Sequence, residues 1–234
     1  MIRIIMLGLE LEEEQRKLRS ELAAFIPSPN NCCATKLREL QDVLRHRIEV
    51  WHDAVQELIP SLASLRGGPA YTTADAQTLP LFLPSTICSS LAFPNIFLTY
   101  EWRLREGQAY DALANIRGHL EVIAYITKHY TVGGTRGDVG RQTNLIANFI
   151  RNEIDMDIRR YDEAYAAMLR LTAPLGDAGW RRHLRQLTHS DVRYISDVDA
   201  NGQQSWIWAF GGTSYLKPED LHDIKKNKNL CNGK

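Results

Sequence analysis

Residues 100–126, YEWRLREGQAYDALANIRGHLEVIAYI, decide the fold. Ala109, Leu113, Ile116, Leu120 and Ile123, continuing to Thr127, recur at spacings of three and four, with charge on the other face. That pattern predicts a helix over 96–130. Gly107 and Gly118 interrupt it and weaken it by roughly 1 kcal/mol each relative to Ala. Such glycines persist where another helix approaches closely.

Working outward, residues 139–171 read VGRQTNLIANFIRNEIDMDIRRYDEAYAAMLRL. Ile146, Ile150, Ile154, Ile158, Tyr161, Tyr165 and Met168 predict a second long helix over 142–171, ended by Pro174 and Gly176. The Gly-rich stretch between the two, TVGGTRGDVGR, is short enough that they should pack as an antiparallel hairpin. Upstream, Leu11, Gln15, Leu18, Leu22 and Phe25 predict a helix over 10–25, stopped by Pro27 and Pro29. Residues 1–9 read as its frayed start or as a short strand before it. Leu37, Leu40, Leu44, Ile48, Trp51, Val55 and Leu58 predict another helix over 35–58, with Thr35 as N-cap and Pro60 as terminator.

Residues 61–94 are irregular and rich in Pro and Gly. LPLFLPSTI within them suits an extended segment laid over a helical core, followed by a short helical turn over 85–93. A short helix is expected over 180–187, with Thr188 or Ser190 capping a further turn, and SWIWAF at 205–210 forms an aromatic cluster. The fold class is therefore all-α: an elongated helical bundle built around a long antiparallel hairpin, with a Pro-rich irregular segment. Residues 1–30 form an N-terminal helix, 31–210 a helical domain and 211–234 a polar, disordered tail.

Composition narrows the function classes. Lys plus Arg is 28 and Asp plus Glu is 28, which argues against a chain that coats nucleic acid by overall charge. No apolar run approaches the ~20 residues a membrane helix needs, so no membrane partner is expected. Cys32, Cys33, Cys88 and Cys231 show no CxxC or CxxH spacing, and they read as reduced thiols of an intracellular protein. The tail's KKNK, residues 225–228, is a candidate nuclear-import or nucleic-acid patch.

Chemistry-bearing motifs are few. GGTRGDVGRQT lacks the P-loop spacing and follows a helix, so it reads as a hairpin loop. Glu153, Asp155, Asp157, Asp162 and Glu163 crowd one helix beside Arg151, Arg159 and Arg160, a pattern of helix-surface ion pairs. No HxxxH, HxH or G-x-S-x-G motif is present, so no catalytic residue, metal ligand or cofactor is assigned. Arg103 and Arg105, with Glu106 beside them, are candidates to fasten their helix to a neighbour or to a phosphate. WRRHLR at 180–185 supplies Trp180, Arg181, Arg182 and Arg185 as candidate contacts for DNA or a protein partner. A solvated basic face over a buried Trp180 is the alternative.

The ordered set LRHRIEVWHDAVQELIPSLASLR, LPLFLPSTI, the two hairpin segments, LRQLTHSDVR and SWIWAF resembles the C-terminal helical region of fungal Kyakuja–Dileera–Zisupton (KDZ) transposases. The family's E-L-R-L-R-E-x-Q-A-x-D-A-L-like helix corresponds here to Glu101, Arg103, Leu104, Arg105, Glu106, Gln108, Ala109, Asp111, Ala112 and Leu113. Tyr161, Tyr165 and Ala166 match its Tyr- and Ala-rich helix, and Ser205, Trp206, Ile207 and Trp208 its aromatic element. The likeness spans about residues 35–210. One departure is Thr143 followed by Asn144, where the family usually carries Thr-Arg. In the family, an RNase-H-like domain with Asp/Asp/Glu metal ligands and a Cys-rich module precede this region.

The resemblance therefore implies a catalytically empty, transposon-derived module. It would self-associate or contact DNA or other protein chains, missing upstream transposase domains among them. Two alternatives stand beside it: an Asp/Glu metal-dependent transposase or nuclease, and a fragment without selected function. The last would expose apolar surface at Trp51, Phe82, Phe93, Trp206 and Trp208.

Overall fold

The computed structural model describes residues 2–24, 32–90, 94–131, 138–176 and 179–209. The architecture is all-α, as the periodicity predicts. Eight α-helical segments occur among the described residues: α1 (Ile2–Ala24), α2 (Cys32–Leu58), α3 (Ala63–Arg66), α4 (Pro69–Thr72), α5 (Pro84–Ile87), α6 (Asn95–Ile126), α7 (Asp138–Leu175) and α8 (Trp206–Ala209). The chain divides into two compact units: residues 1–107 with 163–180, and residues 108–162 with 181–234.

In the first unit α1 packs on α2. Ile5, Leu11 and Leu18 from α1 meet Leu44, Ile48, Trp51 and Val55 from α2 in one core. The predicted α2 stripe thus holds in its middle, while Leu40 and Leu58 at its two ends are exposed. α1 is helical from Ile2, which removes the strand alternative for residues 2–9. Its close approach to α2 occurs at Gly8, where an added Cβ would lie 2.6 Å from the Trp51 ring and 2.8 Å from Leu83. Gly107 and Gly118, expected to mark such an approach, have nothing within 4 Å of a Cβ. Thr35 is not the cap of α2, because the helix already begins at Cys32. Pro27, Pro29 and Phe25 lie outside the described residues.

The segment between α2 and α6 closes this core as the prolines predict. Leu79, Leu81, Phe82 and Leu83 are buried in a stretch without helix or strand, and Leu83 is extended (φ −71°, ψ 149°). α5 begins there with Pro84 in its first turn, where a missing N–H costs nothing. Gln15, the polar member of the α1 stripe, is buried, and its Nε2 donates to the carbonyls of Ala76 and Leu79 at 2.8 Å each. A buried amide of this kind satisfies backbone that has no ladder partner of its own.

His52 sits under the same segment, 4.7 Å from the Phe82 ring, with Nδ1 3.0 Å from the Tyr71 hydroxyl. Among the described residues its buried Nε2 makes no regular hydrogen bond, though the Pro80 backbone partly favours the charged ring. Burial, with the nearby Arg66 charge, lowers its pKa from 6.5 to about 4. The unfolded chain therefore takes up a proton at this position near pH 6.5, and the folded chain does not until near pH 4. Stability contributed here is complete above pH 6.5 and falls as the pH drops through that window, by about 2–3 kcal/mol. Urea titrations from pH 7 to pH 4.5 should show that slope, and His52→Phe should flatten it.

In the second unit Ala109, Leu113, Ile116, Leu120 and Ile123 of α6 form the expected buried stripe. α6 then widens into a π-helical turn, Thr127–Thr131. The α7 stripe departs from expectation. Its buried positions in this unit are Ala147, Ile150, Ile154, Asp157 and Tyr161, while Ile146 is exposed and Ile158 only half-buried. A run of pure i+4 steps advances about 40° per step around a 3.6-residue helix, so its two ends cannot share a face. Asn115 Nδ2 donates to Asp157 Oδ1 at 3.2 Å, and His119 Nδ1 lies 3.3 Å from Asp157 Oδ2, which sets the antiparallel register. α7 runs through Pro174 and stops at Leu175, followed by Gly176 at φ 83°. In the last turn a proline removes one hydrogen bond at most, so the positive-φ glycine is the real terminator.

Downstream, residues 180–187 do not form a helix. A single 3₁₀ turn, Trp180–Arg182, is followed by residues without regular structure through Thr188. Thr188 and Asp191 then cap the turn His189–Asp191 reciprocally, as one of the two expected caps. SWIWAF is a helical turn, α8, with Ile207 buried; Phe210 lies outside the described residues.

Candidate interaction surface

The family-like motif on α6 is turned inward. Glu101 is 0% and Arg105 1% exposed. Glu101 accepts from the Ser85 backbone N–H at 2.7 Å, from Ser85 Oγ at 2.6 Å and from Arg105 Nε at 3.2 Å. Arg105 also forks onto Glu12 of α1, its second guanidinium nitrogen at 2.9 Å. One turn along α1, buried Arg16 pairs with Glu13 and with Glu163 of α7, and Arg19 reaches Glu163 at 3.1 Å. Arg170 donates to the Ser85 carbonyl at 3.0 Å. A chain of alternating charges therefore runs from the buried Glu101–Arg105 pair through buried Arg16 to the surface of the first unit at Arg19. For Arg105, burial works against the charge, but Glu12 and then Glu101 outweigh it, and its pKa is raised.

This placement corrects one expectation. Arg105 has no exposed face for an outside phosphate, because its guanidinium is buried and engaged by Glu101 and Glu12. Arg103, two positions earlier, is exposed, and Glu106 and Gln108 are half-buried. Trp180 is likewise removed from the contact set. It is buried in the first unit, with Nε1 donating to Thr172 Oγ1 at 3.2 Å and its ring edge-on to Tyr165 at 5.2 Å. Arg181, Arg182 and Arg185 are exposed in the second unit, together with His183. Two apolar anchors, Leu184 and Leu187, are buried in the same stretch, and the Arg185 carbonyl accepts from the Tyr161 hydroxyl at 2.6 Å. These fasten the backbone of a short basic loop and leave its guanidinium groups outside.

The aromatic motif is structural too. Arg117 donates to the Ile207 carbonyl at 2.9 Å, Ser205 Oγ to the Asp191 carbonyl at 2.6 Å, and Trp208 Nε1 to the Arg193 carbonyl at 3.0 Å. Trp206 leans on Tyr161 with ring centroids 6.2 Å apart. Trp51 and Phe82 are buried, and Trp206 and Trp208 half-buried, so the apolar exposure expected there of an orphaned fragment is absent at these four. Phe93 lies outside the described residues.

The acidic helix face resolves into separate partners. Asp157 is buried, which raises its pKa; Asn115, Arg160 and His119 partly offset that. Glu163 belongs to the network of the first unit, and Asp155 faces solvent. Among the described residues no three His, Cys, Asp or Glu side chains are grouped to hold a cation. No helix among them is long and apolar enough to cross a membrane. Residues 132–137 of the Gly-rich loop, the tail with KKNK and Cys231, and the side chains of Cys32 and Cys33 lie outside the described residues; Cys88 is a free thiol. No protein-family model, no curated protein and no solved structure matches the chain.

Proposed function

We propose that this chain is a non-catalytic helical module of the KDZ transposase type, a remnant of a fungal transposable element that works by associating with DNA or with protein chains, its own copies included. The observation that supports it is the fate of the family-like charges. Glu101 and Arg105 lie side by side and buried, each engaged by the other and by Ser85 or Glu12. Groups committed in this way hold helices together and are not presented to a substrate. The charges left outside include Arg103 and the loop arginines Arg181, Arg182 and Arg185. A nuclear location follows from the same reading.

Duplex DNA binding measured across a salt series tests the DNA arm. The expected result is affinity at low salt that falls as salt rises, with a log–log slope that shrinks by about 2–3 when Arg181, Arg182 and Arg185 are all replaced by Ala. No binding at low salt removes that arm. Duplex cleavage that requires Mg²⁺ or Mn²⁺ and is lost on replacing an acidic residue would overturn the non-catalytic reading.

A further inference from the structure

We infer that a second copy of this chain docks on the outer face of the α6–α7 hairpin in the second unit, through Val122 and Tyr125 of α6 and Leu145, Ile146 and Phe149 of α7. The inference rests on reading the chain as an association module, and it names the surface and the partner. These five side chains are 45%, 59%, 63%, 52% and 64% exposed. They are not scattered. Leu145 and Phe149 are one turn apart, Ile146 and Phe149 three residues apart, and Val122 and Tyr125 three apart, so each helix presents its members together. The register fixed by Asn115 and His119 against Asp157 puts Tyr125 level with Phe149, so both helices contribute at the same height.

Area and charge select the occupant. With side-chain areas on the order of 150–250 Å² for the rings, the five expose ~500 Å² per copy, and two copies bring together ~1,000 Å², the lower bound of a specific interface. Apolar burial is non-directional, so a stripe across two antiparallel helices is complementary to its own two-fold mate, and the pair closes as four helices. Residues 108–162 carry seven Asp or Glu and seven Lys or Arg, so two copies meet without net repulsion. A nucleic acid or an anionic membrane surface would require an excess of cations around the stripe.

Sedimentation equilibrium of the full chain over a concentration series is the test, with Phe149→Glu and Leu145→Glu as the patch variants. Val43→Glu, an exposed apolar position on α2 outside the patch, is the control. A dimer is expected for the parent chain, weakened about thirtyfold or more by either patch variant and unchanged by the control. Far-UV circular dichroism should be identical for all four, since the substituted side chains are already outside. A parent chain that stays monomeric overturns the inference, and so does a dimer that the patch variants leave intact or the control weakens equally. A monomer that floats with phosphatidylcholine–phosphatidylserine vesicles also overturns it and assigns the stripe to lipid. Monomers that still bind DNA would sink this inference alone; a patch-dependent dimer that binds no DNA would sink only the DNA arm of the proposed function.

Discussion

Arg105→Met should destabilise the protein by about 3–5 kcal/mol at neutral pH, the usual cost of leaving a buried charge without its partner. The substitution fills similar space, so the loss is electrostatic. Glu101 keeps its two Ser85 hydrogen bonds but loses the only cation within hydrogen-bond reach among the described contacts. Urea unfolding of parent and variant at pH 7 checks this. Adding Glu101→Gln to Arg105→Met should recover a large part of the loss at pH 7, because the second carboxylate, Glu12, is closer to solvent. A loss below about 1 kcal/mol at pH 7 would mean that the pair is no more than a surface ion pair.

Trp51→Ala should cost about 3–5 kcal/mol, in the range for removing a core aromatic. The ring does two things at once: its body fills the space opened by Gly8, and its Nε1 donates to the Ile4 carbonyl at 2.8 Å. Gly8→Ala in the parent chain should cost about 1–3 kcal/mol, because the new methyl meets the Trp51 ring and Leu83 closer than carbon atoms pack. That cost appears despite the roughly 1 kcal/mol that Ala gains over Gly in a helix. In the Trp51→Ala background the ring is gone and the Leu83 side chain has room to shift, so Gly8→Ala should cost at least ~1 kcal/mol less than in the parent chain. Thermal or urea melts of the four proteins test the coupling. Simple additivity would show that Gly8 and Trp51 do not share the contact.

Local pattern made most of the fold legible. The stripe Ala109 to Ile123 and the middle of the stripe Leu44 to Val55 point inward as spacing predicts, and the prolines of residues 79–84 place an extended segment over the core. The misses have physical causes of one kind. Residue spacing reports which positions share a helix face, but not which of two faces meets a neighbour. Ile146 and Ile158 continue an i+4 run beyond the width of the contact, so they leave it on either side. A helical glycine does not by itself locate a close approach: Gly107 and Gly118 have none, while Gly8 has one, and the ring above it belongs to a residue 43 positions away. Arg103 and Arg105 look equivalent in a charged run, yet one faces solvent and the other a carboxylate from a helix 93 positions upstream. At 180–187 the buried pair Leu184 and Leu187 has a spacing that suits a helix, yet only the turn Trp180–Arg182 is helical. The basic loop is legible by composition, and Trp180 is buried as the alternative reading of that stretch expects.

The reach of the Arg16 contact sets an order of events in the cell. Its carboxylate partner Glu163 follows 147 residues later along the chain. At a synthesis rate of about 5–20 residues per second, an emerging N-terminal helix waits roughly 7–30 s before that counter-ion exists. Until then only carboxylates of its own helix, Glu12 and Glu13, are there to pair with the guanidinium. The closing of this half of the molecule therefore waits for α7, long after α1 has been made.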